Sequence, residues 1–119
     1  MKVWADPEVI EKLEDLIDTL YEKGYFSFVE TSVNYVVVLF NDILENLPVK
    51  LKRPAPKYFT NQYGKGLYFA VFPKSKRTQW YVFFRMYQEN GELYYQVRHI
   101  TNNHVAAQYI EYDYLPSSK

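Results

Sequence analysis

Two arginines, Arg85 and Arg98, stand on segments joined by Asn90-Gly91, and their spacing suits chemistry on an anion. Asn-Gly is the pair a two-residue hairpin prefers, because both central positions of a type I′ turn need positive φ. With that turn, pairing follows i + j = 181, so Arg85 faces Gln96 and Phe83 faces Arg98. The arginines become diagonal neighbours on one sheet face, within reach of a single phosphate. The opposing expectation is that each guanidinium is neutralised by an acid from the helices or the C-terminal segment.

His99 and His104 are the only histidines. His104 follows Thr101-Asn102-Asn103 at a strand end, where a polar residue is more often exposed than packed, whereas His99 reads as a structural strand residue. Histidine suits proton transfer near neutral pH. Two histidines without a carboxylate cluster do not make a metal site, so neither metal nor cofactor is expected. The chain has no glycine-rich phosphate loop, nucleophile elbow or paired-carboxylate motif, which argues against a nucleotide-cofactor enzyme, a serine hydrolase and a glycosidase.

A second group of cations is Lys50, Lys52, Arg53, Lys57 and Lys65, with Lys74, Lys76 and Arg77 further on. Tyr58, Phe59, Tyr63 and Tyr68 interleave with them. Cations for phosphates and rings for bases are what single-stranded RNA binding requires, although a solvated basic loop has the same composition. The charges are also sorted by half. Residues 1–48 carry three lysines and ten carboxylates, a net of −7; residues 49–119 carry eleven cations and four carboxylates, a net of +7. Between Val49 and Gln88 there are nine cations and no carboxylate. That asymmetry points to a polyanionic partner, nucleic acid or an acidic protein segment, unless acidic helices simply neutralise a basic sheet.

The elements that must position these residues follow from periodicity. Lys2-Val3-Trp4 is a possible edge strand. Asp6-Pro7-Glu8 starts a helix, with Asp6 to cap free amides and Pro7 at the first helical position. Val9, Ile10, Leu13, Leu16, Ile17 and Leu20 then form one apolar stripe, and Gly24 ends the helix. Ser27 and Glu30 have capping-box spacing and predict a second, antiparallel helix, closed by Pro48. Residues 48–65 read as a basic loop with little regular structure. Residues 67–72, 80–84 and 93–100 are rich in strand formers and predict an antiparallel meander. Residues 105–114 are a short helix or strand, and 115–119 a frayed tail. One α+β domain is expected, with two antiparallel helices on one face of a small antiparallel sheet and the other face open. The absence of cysteine, signal peptide and membrane span predicts a soluble, cytoplasmic protein with no membrane partner.

This layout resembles the RelE/ParE superfamily of toxins from bacterial type II toxin–antitoxin modules, the plasmid-stabilisation proteins. The likeness lies in a first strand ending in Trp4-Ala5-Asp6-Pro7, two helices, a proline-bearing linker, and a meander closing with Ile100-Thr101-Asn102-Asn103-His104. It implies a small toxin held by a cognate antitoxin whose acidic segment lies on the basic sheet face. The target would be RNA on the ribosome or DNA gyrase. In the cleaving form, a metal-free endoribonuclease, Arg85 and Arg98 would hold the phosphate and His104 or Tyr109 would move protons. Lysines 50, 52, 57, 65, 74 and 76 and Arg53 and Arg77 would bind RNA or the partner. Asn102-Asn103 stands where many relatives have a histidine-arginine pair, and the chain is neutral where cleaving toxins are basic. A non-catalytic RNA- or protein-binding adaptor is the alternative.

Overall fold

A five-stranded, mostly antiparallel sheet with helices on both faces organises the chain, as seen in a computed structural model that describes residues 1–24 and 26–114. Strand β1 (Lys2–Ala5) leads directly into α1 (Pro7–Glu22), and α2 (Val29–Asn46) follows. A 3-10 turn at Leu47–Val49 precedes β2 (Arg53–Pro54) and α3 (Lys57–Tyr63). The meander is β3 (Tyr68–Pro73), β4 (Gln79–Glu89) and β5 (Glu92–Asn102), and α4 (Asn103–Tyr114) closes the described chain. The strand order is β1-β5-β4-β3-β2, with β1 parallel to β5 and every other neighbour antiparallel.

Helices α1 and α2 cover one sheet face. Val9 and Leu13 of α1 and Val36, Leu39 and Ile43 of α2 pack on Phe72, Val82, Phe84, Val97 and Ile100. Helix α2 is rich in valine, a poor helix former, and packing of its buried residues overrides that preference. The capping box expected at Ser27 does not form. Helix α2 begins at Val29, Phe28 is its N-cap, and no side chain caps it.

The other face is not open along its whole length, contrary to the sequence reading. Residues 48–65 contain α3, and residues 103–114 form α4. Phe59 of α3, with Ala106 and Ile110 of α4, buries Phe69, Tyr81 and Phe83 in a second core. Tyr81 and Phe83, on the sheet face that the sequence reading left open, are therefore 6% and 0% exposed. The linker prolines do not abolish the helix, because Pro56 is its N-cap and lies just outside it. Phe59 and Tyr63 are four residues apart, so both reach the sheet from one side of a single turn. Asn102 serves the last strand and α4 together, since its Oδ1 accepts the amides of His104 at 2.9 Å and Val105 at 3.3 Å.

The hairpin turn forms as expected, with φ of 51° at Asn90 and 79° at Gly91. The pairing i + j = 181 holds from Phe84–Val97 to Glu89–Glu92. Above it the register shifts by one, so Phe83 pairs with His99 and Arg98 is the extra residue of a β-bulge. The expected tail at 115–119 lies outside the described residues. Among the described residues no helix is long and apolar enough to cross a membrane.

Candidate binding surface on the sheet

The uncovered part of the second face is a patch built from β1, β5 and β4. Pairing aligns Lys2 with Tyr94 and Tyr87 in one row, and Trp4 with Gln96 and Arg85 in the next. Side chains on one face alternate along each strand, so these rows share the face that α3 and α4 leave uncovered. Trp4 is 39% exposed and donates its Nε1–H to the Tyr87 hydroxyl at 2.9 Å. The Tyr87 and Tyr94 rings stack at 5.2 Å, and the Arg85 guanidinium lies over the Tyr87 ring at 5.2 Å.

Asp6 ties this patch together. Its Oδ1 accepts from Gln96 Nε2 at 2.7 Å, and its Oδ2 from Arg98 Nε at 2.8 Å. Gln96 in turn accepts the Arg85 Nε–H at 2.6 Å. The sequence assigned Asp6 to capping α1; its carboxylate makes no cap bond and serves the two arginines instead. Arg98 is two residues from Gln96 and shares its side of the strand, where it meets Asp6. The bulge instead brings the next residue, His99, opposite Phe83 and onto that same face. The expectation that each arginine pairs with an acid holds for Arg98 only: Arg98 is paired with Asp6, while Arg85 is held by the Gln96 amide. Both are held through Nε, and the terminal nitrogens of both guanidinium groups have no partner among the described residues. Each therefore keeps a two-pronged donor end for a carboxylate or phosphate.

Beside Arg98, the half-buried His99 shares a hydrogen bond with Tyr63, its Nδ1 lying 3.0 Å from the hydroxyl, and the two rings stack at 4.7 Å. Burial, and secondarily the charge of Lys12, lowers the His99 pKa to about 4. The imidazole is neutral at pH 7. Desolvation first, then the negative charge of Glu8, raises the Tyr63 pKa, so its phenol stays protonated. A protonated phenol beside a neutral ring fits Tyr63 donating to Nδ1. This pair was not singled out in the sequence, where His99 read as a plain strand residue; the Tyr63 half came from the unrecognised α3.

The other residues expected to act with the arginines stand elsewhere. His104 hydrogen-bonds Thr78 at 3.0 Å, at the β3–β4 hairpin end. Thr78, just before β4, and Arg85 are seven residues apart, roughly 23 Å at about 3.3 Å per residue. Tyr109 stacks on Tyr58 at 3.7 Å, between α4 and α3. The cations do not gather into one track. Lys50 and Lys52 lie over Phe72 and Tyr95, rings of the first core, and Lys74 lies over Tyr35. Arg53, Lys57 and Lys65 are exposed around β2 and α3, and Lys76 and Arg77 are exposed in the β3–β4 hairpin. Among the described residues no group of three or more histidine, cysteine or carboxylate side chains could hold a metal ion. No family model, curated protein or solved structure matches this chain.

Proposed function

We propose that this chain is a non-catalytic, protein-binding domain of the RelE/ParE toxin kind, whose uncovered sheet patch takes a carboxylate-bearing segment of an antitoxin-like partner. The observation that carries it is the relay from Arg85 through Gln96 and Asp6 to Arg98, which holds both guanidinium groups by Nε and leaves their ends unspent. Held arginines lose little further freedom on binding. Their neighbours Trp4, Tyr87 and Tyr94 belong to the residue types that anchor protein interfaces. The Tyr87 ring is already engaged by Arg85 and Tyr94, which disfavours stacking of a nucleobase there. The order of a short first strand, two helices, a linker and a three-stranded meander also supports the RelE/ParE reading.

The second reading is the metal-free endoribonuclease, favoured by one contact: the Tyr63–His99 hydrogen bond beside Arg98. One experiment separates the two. Fluorescence-detected binding would compare acidic peptides with their Asn/Gln counterparts, and the same preparation would be incubated with single-stranded RNA. The protein-binding reading expects tighter binding of the acidic peptides, weakened at least tenfold in Arg85→Ala/Arg98→Ala, and intact RNA. RNA cleavage abolished by His99→Ala would overturn it in favour of the nuclease.

A further inference from the structure

A groove of about 800 Å³ opens at the other end of the molecule, between α1, the β3–β4 hairpin and the junction of β5 with α4. Its size falls within the range of small-ligand sites. Leu16 and Leu20 of α1, Phe26 and Ile100 supply an apolar wall. Trp80, only 5% exposed, backs it, with the indole N–H already satisfied by the Tyr35 hydroxyl at 2.9 Å. The indole N–H is thus spent internally and this wall presents hydrocarbon, while Thr19, Thr101, Asn102 and His104 add polar groups to the rest of the lining.

The lining carries the opposite charge balance from α1 as a whole. Lys12, Lys23 and Lys74 line it, against one carboxylate, Asp15. They come from both sides: Lys12 from α1 and Lys23 from its C-cap, and Lys74 from the hairpin, where it lies over Tyr35 at 5.3 Å. Partial desolvation lowers the Lys12 pKa, in keeping with a stem that lies against the apolar wall. An apolar trough with cations on both sides is complementary to a molecule that is itself apolar with one anionic end.

We infer that this groove binds an amphipathic organic anion, an apolar body bearing a carboxylate or phosphate, with the body along Leu16, Leu20 and Ile100 and the anion between Lys12 and Lys74. The site is separate from the sheet patch and does not depend on the partner proposed there.

The test uses the full chain carrying Trp4→Phe, which leaves Trp80 as the single indole. Dodecanoate, kept below its micelle concentration, is titrated at pH 7 and Trp80 emission is followed. Dodecyltrimethylammonium, with the same tail and the opposite charge, is titrated in parallel. A saturable response to dodecanoate, at least tenfold weaker for the cation, is expected. Lys12→Gln/Lys74→Gln should weaken dodecanoate about tenfold, since each exposed charge contact contributes up to about 1 kcal/mol. Lys12 is exposed, whereas Lys74 is half-buried over the Tyr35 ring, so the urea midpoint of the double variant is measured alongside and Lys12→Gln alone should still weaken dodecanoate several-fold. Amide NMR shifts on dodecanoate binding should centre on Leu16, Thr19 and Asn102. Equal affinity for the two amphiphiles, an unchanged affinity in the double variant, shifts centred on Trp4 and Arg85 in the wild-type chain, or no saturable response would each overturn the inference.

Discussion

Asp6 and Arg98, 92 residues apart in the chain, meet at 2.8 Å, with the carboxylate at the start of α1 and the guanidinium at a bulge in the last strand. Asp6→Asn keeps the shape and removes the charge. The pair is partly buried, so the variant should lose about 1–2 kcal/mol of stability, read as a lower urea midpoint with unchanged slope. Asp6→Asn should also loosen Arg98, visible as broadening of its Nε–H signal in NMR.

His99 should make the protein acid-sensitive. Its folded pKa, about 4, is below the ordinary value of 6.5, so the unfolded chain binds the proton more readily. Stability from this group is complete above pH 6.5 and is lost as pH falls toward 4, with a loss on the order of 2 kcal/mol after allowing for its partial exposure. Urea midpoints measured from pH 7 to pH 5 should fall in the wild type. In His99→Gln the decline over that interval should be much shallower; an equally steep decline would assign the effect to other groups.

Phe59 anchors α3 and is 2% exposed, with its ring stacked on Phe83 at 4.1 Å. Phe59→Ala should cost about 3–5 kcal/mol by leaving a cavity in the second core. Hydrogen exchange should show the loss concentrated in α3 and in the middle of β4. The α1 and α2 amides should keep most of their protection.

Asn102→Ala removes the side-chain acceptor for two amides at the start of α4 and should cost about 1 kcal/mol. Thermal melting should register it as a drop of a few degrees. Asn102→Asp should retain most of the stability, because a carboxylate caps as well as an amide oxygen does.

The sequence carried the frame of this fold and less of its site. The apolar stripe of α1, the Asn90-Gly91 turn and the three strands of the meander each rest on a local signal that packing reinforces. Helix α3 was hidden because seven residues are too few for a period, and Pro54, Pro56 and Thr60-Asn61-Gln62 resemble a loop. Without α3 the sheet face that carries Tyr81 and Phe83 reads as open, and the Tyr63–His99 pair has no visible basis. The bulge at Arg98 had no glycine or proline to mark it, so the register drawn from the turn was right through Phe84 and off by one beyond it. Asp6 was legible as the residue before Pro7, yet no local rule says that its carboxylate turns to another strand.

The parallel pairing of β1 with β5 also orders events in time. Strand β1 is made first, but its only partner in the sheet ends at Asn102, so it must wait for almost the whole described chain to be synthesised. Helices α1 and α2 can assemble earlier from neighbouring residues. The Asp6–Arg98 contact can close only after β5 has emerged and zipped onto β4. A nascent chain on the ribosome therefore carries Trp4 and Asp6 without the surface they complete, and the sheet patch comes into being only after β5 has emerged.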